Sequence, residues 1–273
     1  MDTQNRFEFG KNWKNFLSVL DEDRIKQAEI SLIEMLGFDD LSNKSFLDIG
    51  SGSGLFSLAA RRLGANVYSF DYDSESVACT AELKRRYFPD DDNWNVEQGS
   101  ALDFEYINAL DHFDIVYSWG VLHHTGAMWV GIEHAISRVK HDGLLYLALY
   151  NDQGWKSHFW WFIKFVYNKL PSPLNLVYGY VIGFLAKFLI LLKYTFLLKP
   201  MTVLSEWFNY RKNRGMSILH DMIDWVGGYP FEFVTYETLD AYMHSRGFSI
   251  LKGEKASSLG CHKMVFKRMD NKQ

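Results

Sequence analysis

Cysteine is scarce: the 273-residue chain holds two, Cys79 and Cys261. That excludes a disulfide framework and a Cys-rich zinc site, and it suits a reducing compartment. Met1-Asp2-Thr3-Gln4 carries no basic lead and no apolar run follows it. No secretory signal is therefore expected. Internal repeats and low-complexity tracts are absent. His, Asp and Glu fall only at loose spacings, so no metal site is expected. Acid is missing from one long stretch. Between Trp155 and Gly215 a single acid, Glu206, stands against nine Lys and Arg. The stretch carries +8, and the rest of the chain carries −12 within a formal total of −4. An acidic remainder argues against broad nucleic-acid binding.

What is abundant is apolar and aromatic. Hydrophobic residues make up 48% and charged residues 23%, the balance of a globular chain. Aromatics reach 16%, so large apolar faces are expected. Residues 1–44 read as an aromatic arm, Phe7 to Trp13, followed by a helix. Asp21 is placed to cap that helix, Gly37 to end it, and Ile25, Ala28, Leu32, Met35 and Leu36 share one face. From Ser45 strands alternate with helices. Strand-like runs are Ser45–Ile49, Ala65–Phe70, Asn95–Gln98, Phe113–Ser118 and Leu144–Tyr150. Helix-like runs include Leu55–Leu63 and Ser74–Tyr87. This alternation predicts a parallel, doubly wound α/β sheet. Residues 45–154 form that core, 155–215 a helical insertion, and 216–273 a completion. The completion holds a helix near Tyr236–Arg246 and a hairpin of Phe248–Gly253 with Lys263–Lys267.

The sharpest motif is Asp48-Ile49-Gly50-Ser51-Gly52-Ser53-Gly54, directly after a strand and before a helix. Glycines at alternate positions let the backbone turn tightly and approach a ligand without Cβ clashes. Asp48 is placed to accept from a cationic or hydroxylated ligand. Asp71, at the tip of the second strand, is placed to take both hydroxyls of a ribose. The alternative for Asp71 is a helix-capping acid.

These residues resemble the first two motifs of the class I S-adenosylmethionine-dependent methyltransferases. Gln98-Gly99-Ser100-Ala101 resembles the third motif, with Ser100 where an acid usually stands. Phe113 to His124 resembles the fourth, and Lys140-His141-Asp142-Gly143-Leu144 the turn into the fifth strand. The resemblance implies a Rossmann-like seven-stranded sheet with S-adenosyl-L-methionine over the carboxyl ends of the first four strands. It further implies that Gly50, Gly52 and Gly54 wrap the methionine part, Asp71 holds the ribose and Tyr72 lies against adenine. Ser100 and Ala101 follow the third strand, and Ser118 sits beside the methyl donor. His123 and His124 follow the fourth strand. One of them is a candidate base, because histidine titrates near neutrality. The alternative is a pair that shapes the loop. The chain lacks the Asn-Pro-Pro-Tyr or Asp-Pro-Pro-Tyr run of family members that methylate planar amino groups, which lowers nucleic acid and glutamine as substrates. Trp13, Asn151, Asp152, His220 and Tyr229 are the candidate acceptor contacts.

The insertion sets the type of acceptor. Leu174–Leu198 is almost wholly apolar, interrupted by Lys187 and Lys193 and followed by Lys199. By length it is able to span a bilayer. An interfacial helical pair fits better, with lysines snorkelling and Trp155, Trp160, Trp161 and Tyr167 at headgroup level. The alternative is a lid or a dimer surface. In placement and character the insertion resembles the membrane-binding insertion of the ubiquinone-biosynthesis O-methyltransferases. The expectation is a cytoplasmic O-methyltransferase, peripheral on the inner face of an anionic membrane, acting on a lipophilic or small-molecule acceptor. The other readings are a soluble enzyme with a lid, or a cofactor-binding assembly protein.

Overall fold

The computed structural model describes residues 17–18, 20–196 and 218–269. Trp13 and Lys199 lie outside the described residues. The elements in chain order are α1 (Glu22–Leu36), β1 (Ser45–Ile49), α2 (Leu55–Arg62), β2 (Asn66–Asp71), α3 (Ser74–Tyr87) and β3 (Trp94–Gln98). Next come α4 (Phe104–Ala109), β4 (Phe113–Trp119), a single 3-10 turn (Leu122–His124), α5 (Met128–Ser137) and β5 (Val139–Tyr150). The insertion contributes α6 (Trp155–Lys169) and α7 (Leu174–Phe196). The chain then runs through α8 (Ile218–Gly227), α9 (Tyr236–Ser245), β6 (Phe248–Glu254) and β7 (Cys261–Arg268).

Seven strands form one sheet in the order β3-β2-β1-β4-β5-β7-β6. The first five are mutually parallel, and β7 runs antiparallel to both β5 and β6. Period-two alternation divides the sheet between two cores. Phe46, Ile115, Tyr117, Tyr146 and Val265 face α1, α2 and α3. Leu47, Val116, Leu145, Leu147 and Phe266 face α4, α5 and α9. The order reverses between β1 and β4, and in sheets of this kind ligands bind outside the carboxyl ends of the strands at such a switch point.

Helix α1 starts where Asp21 accepts from the Arg24 backbone N–H at 2.9 Å. It ends at Gly37, whose φ of 78° only glycine adopts readily. Ile25, Ala28, Leu32, Met35 and Leu36 are all buried, as the helical period predicts. The fifth strand differs from the sequence reading. It starts at Val139 rather than Leu144, with Asp142 at φ 58° and a register shift opposite Asp114. The expected turn at Lys140–Gly143 is thus a bulge within one strand, because Phe113 already pairs with Val139.

In the insertion, α7 packs on α8 and α6 through a glycine seam. A Cβ at Gly179 would meet Ile223 at 2.7 Å and Tyr167 at 2.8 Å, and one at Gly183 would meet Met222 at 2.4 Å. The seam buries Tyr167, which corrects its expected place at headgroup level. Trp160 likewise turns inward, its ring 5.6 Å from that of Trp225. Trp155 and Trp161 remain exposed.

Leu32 is fully buried beneath α2. Leu32→Ala should therefore cost about 2–5 kcal/mol, read as a lower midpoint in urea. A loss below about 0.5 kcal/mol, the range of surface substitutions, would detach α1 from the core.

Candidate functional site

The glycine loop after β1 is defined by where its backbone N–H groups go. Gly50 and Ser51 both donate to the Phe70 carbonyl, at 2.9 and 3.1 Å, and Gly52 donates to Asp71 Oδ2 at 2.9 Å. The loop therefore folds back across the end of β2. Gly50, Gly52 and Gly54 have φ of 79°, 55° and 80°, the left-handed region. Space is as restrictive as torsion. A Cβ on Gly50 would come within 2.4 Å of Val121, and one on Gly54 within 2.8 Å of the Thr80 backbone. Ser118 is buried and donates from Oγ to the Ile49 carbonyl at 3.1 Å, which joins the ends of β4 and β1.

Two carboxylates flank this loop. Asp71 accepts from Gly52 N through Oδ2 and from Asp73 N through Oδ1, both at 2.9 Å. It thus braces the loop, while each oxygen keeps a further lone pair for a hydroxyl donor. Burial holds its carboxyl above the usual range. Asp48 lies below, 2% exposed, and accepts from Ser57 Oγ at 2.5 Å. A chain of donors backs that bond: Trp94 Nε1 donates to Ser69 Oγ at 3.0 Å, and Ser69 Oγ donates to Ser57 Oγ at 2.8 Å. Burial pushes the Asp48 carboxyl up to about 7; the Ser57 bond opposes this and the Asp71 charge adds to it.

Tyr72 follows β2 with its ring exposed, and Gln98 Nε2 donates to its carbonyl at 3.0 Å. Ser100 Oγ accepts from Leu102 N at 3.2 Å. The Ala101 carbonyl meets His134 Nδ1 at 2.8 Å. These positions lie on the loops that follow β2 and β3, beside the carboxyl ends of those strands.

The architecture and this loop agree with the comparisons. A family described as "Methyltransferase domain" matches residues 20–176, more than half of the chain. The chain belongs to this methyltransferase-domain family. A ribosomal protein L11 methyltransferase of Prochlorococcus marinus (strain MIT 9515) is 40% identical over 85 residues, 31% of this chain and 28% of that protein. A ubiquinone biosynthesis O-methyltransferase of Parvibaculum lavamentivorans is 28% identical over 120 residues, 42% of each chain. The match thus spans less than half the length of either relative. A solved magnesium protoporphyrin IX methyltransferase from Synechocystis PCC 6803, with bound SAH, superposes with a TM-score of 0.53 at 14% identity. It covers 89% of this chain and 83% of that one, and it shows the shared fold.

A methyltransferase domain on this fold implies S-adenosyl-L-methionine as the methyl donor. The residues suit it. A cationic, ribose-bearing ligand calls for anions and close backbone approach, and the site has two carboxylates around a loop with no side chains at its glycines. Gly50, Gly52, Asp71 and Tyr72 are the residues at these strand ends that would hold such a donor.

The histidines occupy a different wall. Tyr150 N donates to His123 Nδ1 at 3.3 Å, so the proton sits on Nε2, which is buried without a partner. Burial holds His123 well below the ordinary histidine value, with the His124 and Lys164 charges adding to that. His124 is the opposite tautomer. Its Nδ1 donates to the Pro230 carbonyl at 2.6 Å, because a carbonyl only accepts, so in the neutral ring Nε2 carries the lone pair. The sequence pairs the two histidines, but the structure gives them different chemistry.

The sequence reading missed the packing around this pair. The Tyr150 ring lies 4.0 Å from that of His123 and 5.0 Å from that of Phe231. Lys164 of α6 is buried, bonds the Trp225 carbonyl, and stands 4.5 and 4.9 Å over the Trp225 and Phe231 rings. Burial alone pulls its ammonium down to about 7. Its signal was present in the helical period: Trp160, Ile163, Lys164 and Tyr167 recur on one inward stripe.

The candidate acceptor contacts separate. Tyr229 meets Phe165 and Trp161, with ring centres 6.1 and 6.5 Å away. Asn151 directs its amide to the Ala256 and Ser258 carbonyls, at 3.2 and 3.4 Å, and so fastens the β6–β7 turn. Asp152 caps its own turn through Gly154 N at 2.7 Å. His220 lies in α8.

Asp71→Ala should weaken S-adenosylmethionine binding about tenfold or more, since hydrogen bonds to a charged group are worth about 1.5–3 kcal/mol. Gly52→Val should do the same by forcing a β-branched residue to φ 55°. Calorimetry showing wild-type affinity in both would overturn the loop assignment. The histidines should also part company. His124→Ala should lower methyl transfer by about 10²–10⁴ with cofactor affinity kept. His123→Ala should act chiefly on the thermal midpoint. Equal rate losses in the two variants would contradict the tautomer argument.

Proposed function

We propose that this methyltransferase is a cytoplasmic enzyme that docks on an anionic membrane surface and O-methylates a lipophilic or lipid-linked acceptor. The observation that carries the reading is the outer face of the insertion. Opposite the Gly179–Gly183 seam, α7 turns Val177, Val181, Phe184 and Phe188 to solvent, each more than half exposed. Helix α6 adds Trp155 at 73% exposure, with Phe159 and Phe162 on its outer surface. Leu174–Leu192 is apolar and long enough to cross a membrane. A contiguous apolar surface of this kind marks an interaction site. Lys156 and Lys169 belong to α6 and Lys187 to α7, and no acid occurs between Asp152 and Glu206. Apolar area beside cations and without acids suits an anionic lipid surface.

In this reading residues 45–154 bind cofactor, 155–215 dock, and 216–273 complete the sheet. The glycine loop, Asp71 and Tyr72 hold the cofactor, with Ser100, Ala101 and Ser118 shaping its surroundings. His124 accepts the proton of the acceptor hydroxyl through Nε2. Transfer to oxygen is supported by that lone pair, by the relative named as a ubiquinone biosynthesis O-methyltransferase, and by the missing Pro-Pro-Tyr run. A second reading, a soluble enzyme whose insertion is a lid, is favoured by one observation: the inner stripe of α6 seats Lys164 and Trp160 on Trp225, next to the histidine loop.

Vesicle flotation separates the two. The full chain should float with anionic vesicles at low salt, bind neutral ones less, and release as salt screens exposed charge beyond about 8 Å. Each cation at the surface should add about 1 kcal/mol. Changing Lys156, Lys169 and Lys187 together to Glu should abolish flotation while cofactor binding persists. A chain that stays unbound at low salt is the lid enzyme. The acceptor class is tested by incubating a lipid extract with methyl-labelled donor and locating the labelled product by mass spectrometry.

A further inference from the structure

Asp48 is a carboxylate placed in the core. It lies on β1 between Phe46 and Ile49, 2% exposed, with Ser57 Oγ donating to Oδ2. The groups that face it are acidic or neutral. Asp71, from the end of β2, acts on it as a like charge. Asp73 in turn acts on Asp71. Tyr117, from β4, is buried beside it with a phenol hydroxyl that has no hydrogen-bond partner, and the Asp48 charge opposes ionisation of that phenol. Ser57, Ser69 and Trp94 complete the surroundings with neutral donors. Among the described residues neither Asp48 nor Asp71 forms an ion pair. A buried carboxylate with a second carboxylate nearby and no cation is expensive to ionise. The loop above is where a ligand carrying positive charge on its sulfur and its amino group is expected.

We propose that Asp48 reads the charge of the bound cofactor: its carboxyl releases a proton to solvent when the cationic methyl donor binds, and regains one when the neutral-sulfur product occupies the loop. The reading rests on S-adenosylmethionine as the donor. The balance is simple. The sulfonium adds one positive charge to the site and one proton leaves Asp48. After transfer the sulfur keeps the electron pair of its broken methyl bond, its charge is gone, and the proton returns. Linkage gives the sign. With the free carboxyl raised to about 7 and the donor-bound carboxyl lower, donor affinity should fall as pH drops below 7, by up to about tenfold per pH unit, and level off on the alkaline side. Product affinity should follow pH less steeply. Asp48 thus tilts the site toward donor over product as pH rises, and it acts as a specificity-determining group rather than as a simple contact.

The test is calorimetric and needs no acceptor. The full chain is titrated with S-adenosylmethionine and with S-adenosylhomocysteine in buffers of different ionisation enthalpy. Near pH 7 the donor should release a fraction of a proton that grows toward one as pH falls, and the product should release less. Both ligands carry the same amino and carboxyl groups, so their difference isolates the sulfonium. Asp48→Asn should abolish that difference. Equal proton release by donor and product in the wild type overturns the proposal, and so does a difference that survives in Asp48→Asn. Should that variant fail to fold, Ser57→Ala, which removes the donor to Asp48 Oδ2, should move the pH midpoint of the difference upward, and an unmoved midpoint overturns the proposal. Failure of the cofactor assignment is distinct, because the wild type would then bind neither ligand.

Discussion

Three consecutive backbone N–H groups have to find acceptors at the end of β1, and much of the site follows from where they find them. Gly50 and Ser51 share one carbonyl of β2, and Gly52 takes the carboxylate of Asp71. Leaving such donors unpaired in a buried turn would cost about 1–3 kcal/mol each. The solution brings the loop across β2 and requires left-handed backbone at three glycines. It also sets Asp71 between two tasks, bracing the loop and facing the ligand. Val121 fills the space that a side chain on Gly50 would need, so the 3-10 turn with the histidines is registered against the same loop. Cofactor loop and histidine wall are thus one packed unit rather than two grafted features.

The parts legible in the sequence are those governed by local rules. Asp21 and Gly37 bracket α1 because capping and left-handed backbone are properties of single residues. The five parallel strands declare themselves through apolar runs separated by helical periods. The glycine motif is legible because few residues other than glycine tolerate its torsions. The bulge in β5 was not legible, since the Lys-His-Asp-Gly run reads as a turn when pairing with Phe113 is unknown. The split between His123 and His124 was also hidden. Adjacent residues have the same local chemistry until the Tyr150 amide and the Pro230 carbonyl, both distant in sequence, choose opposite tautomers. Asn151 shows the same limit, because its partners lie more than a hundred residues away.

The insertion resolves a conflict within its own composition. A helix as apolar as α7 would normally be buried all round, yet here only one edge is. Glycines at 179 and 183 let that edge approach Met222, Ile223 and Tyr167 closely, which anchors the helix with little side-chain volume. The cost is that Val177, Val181, Phe184 and Phe188 point the other way, while Tyr178 and Ile182 flank the seam. Helix α6 makes the complementary choice. Its inner stripe carries the cation Lys164 into an aromatic box, while Trp155, Phe159 and Phe162 stay outside. One lysine buried inside and three large aromatic side chains left outside is the reverse of the distribution that water selects.

That inversion bears on how the two ends of the molecule communicate. Lys164 has no carboxylate counter-ion among the described residues; its partners are a carbonyl and two ring faces, all from the segment that follows the insertion. Phe231 in turn contacts Tyr150, and Tyr150 holds His123 in its tautomer through the backbone. A displacement of α6 at its outer face would therefore reach the histidine turn through three successive contacts, Lys164 to Phe231, Phe231 to Tyr150 and Tyr150 to His123. Close-packed interiors transmit such shifts rather than absorb them. The outer face of the insertion and the histidine wall are mechanically joined by α6, whichever medium covers that face.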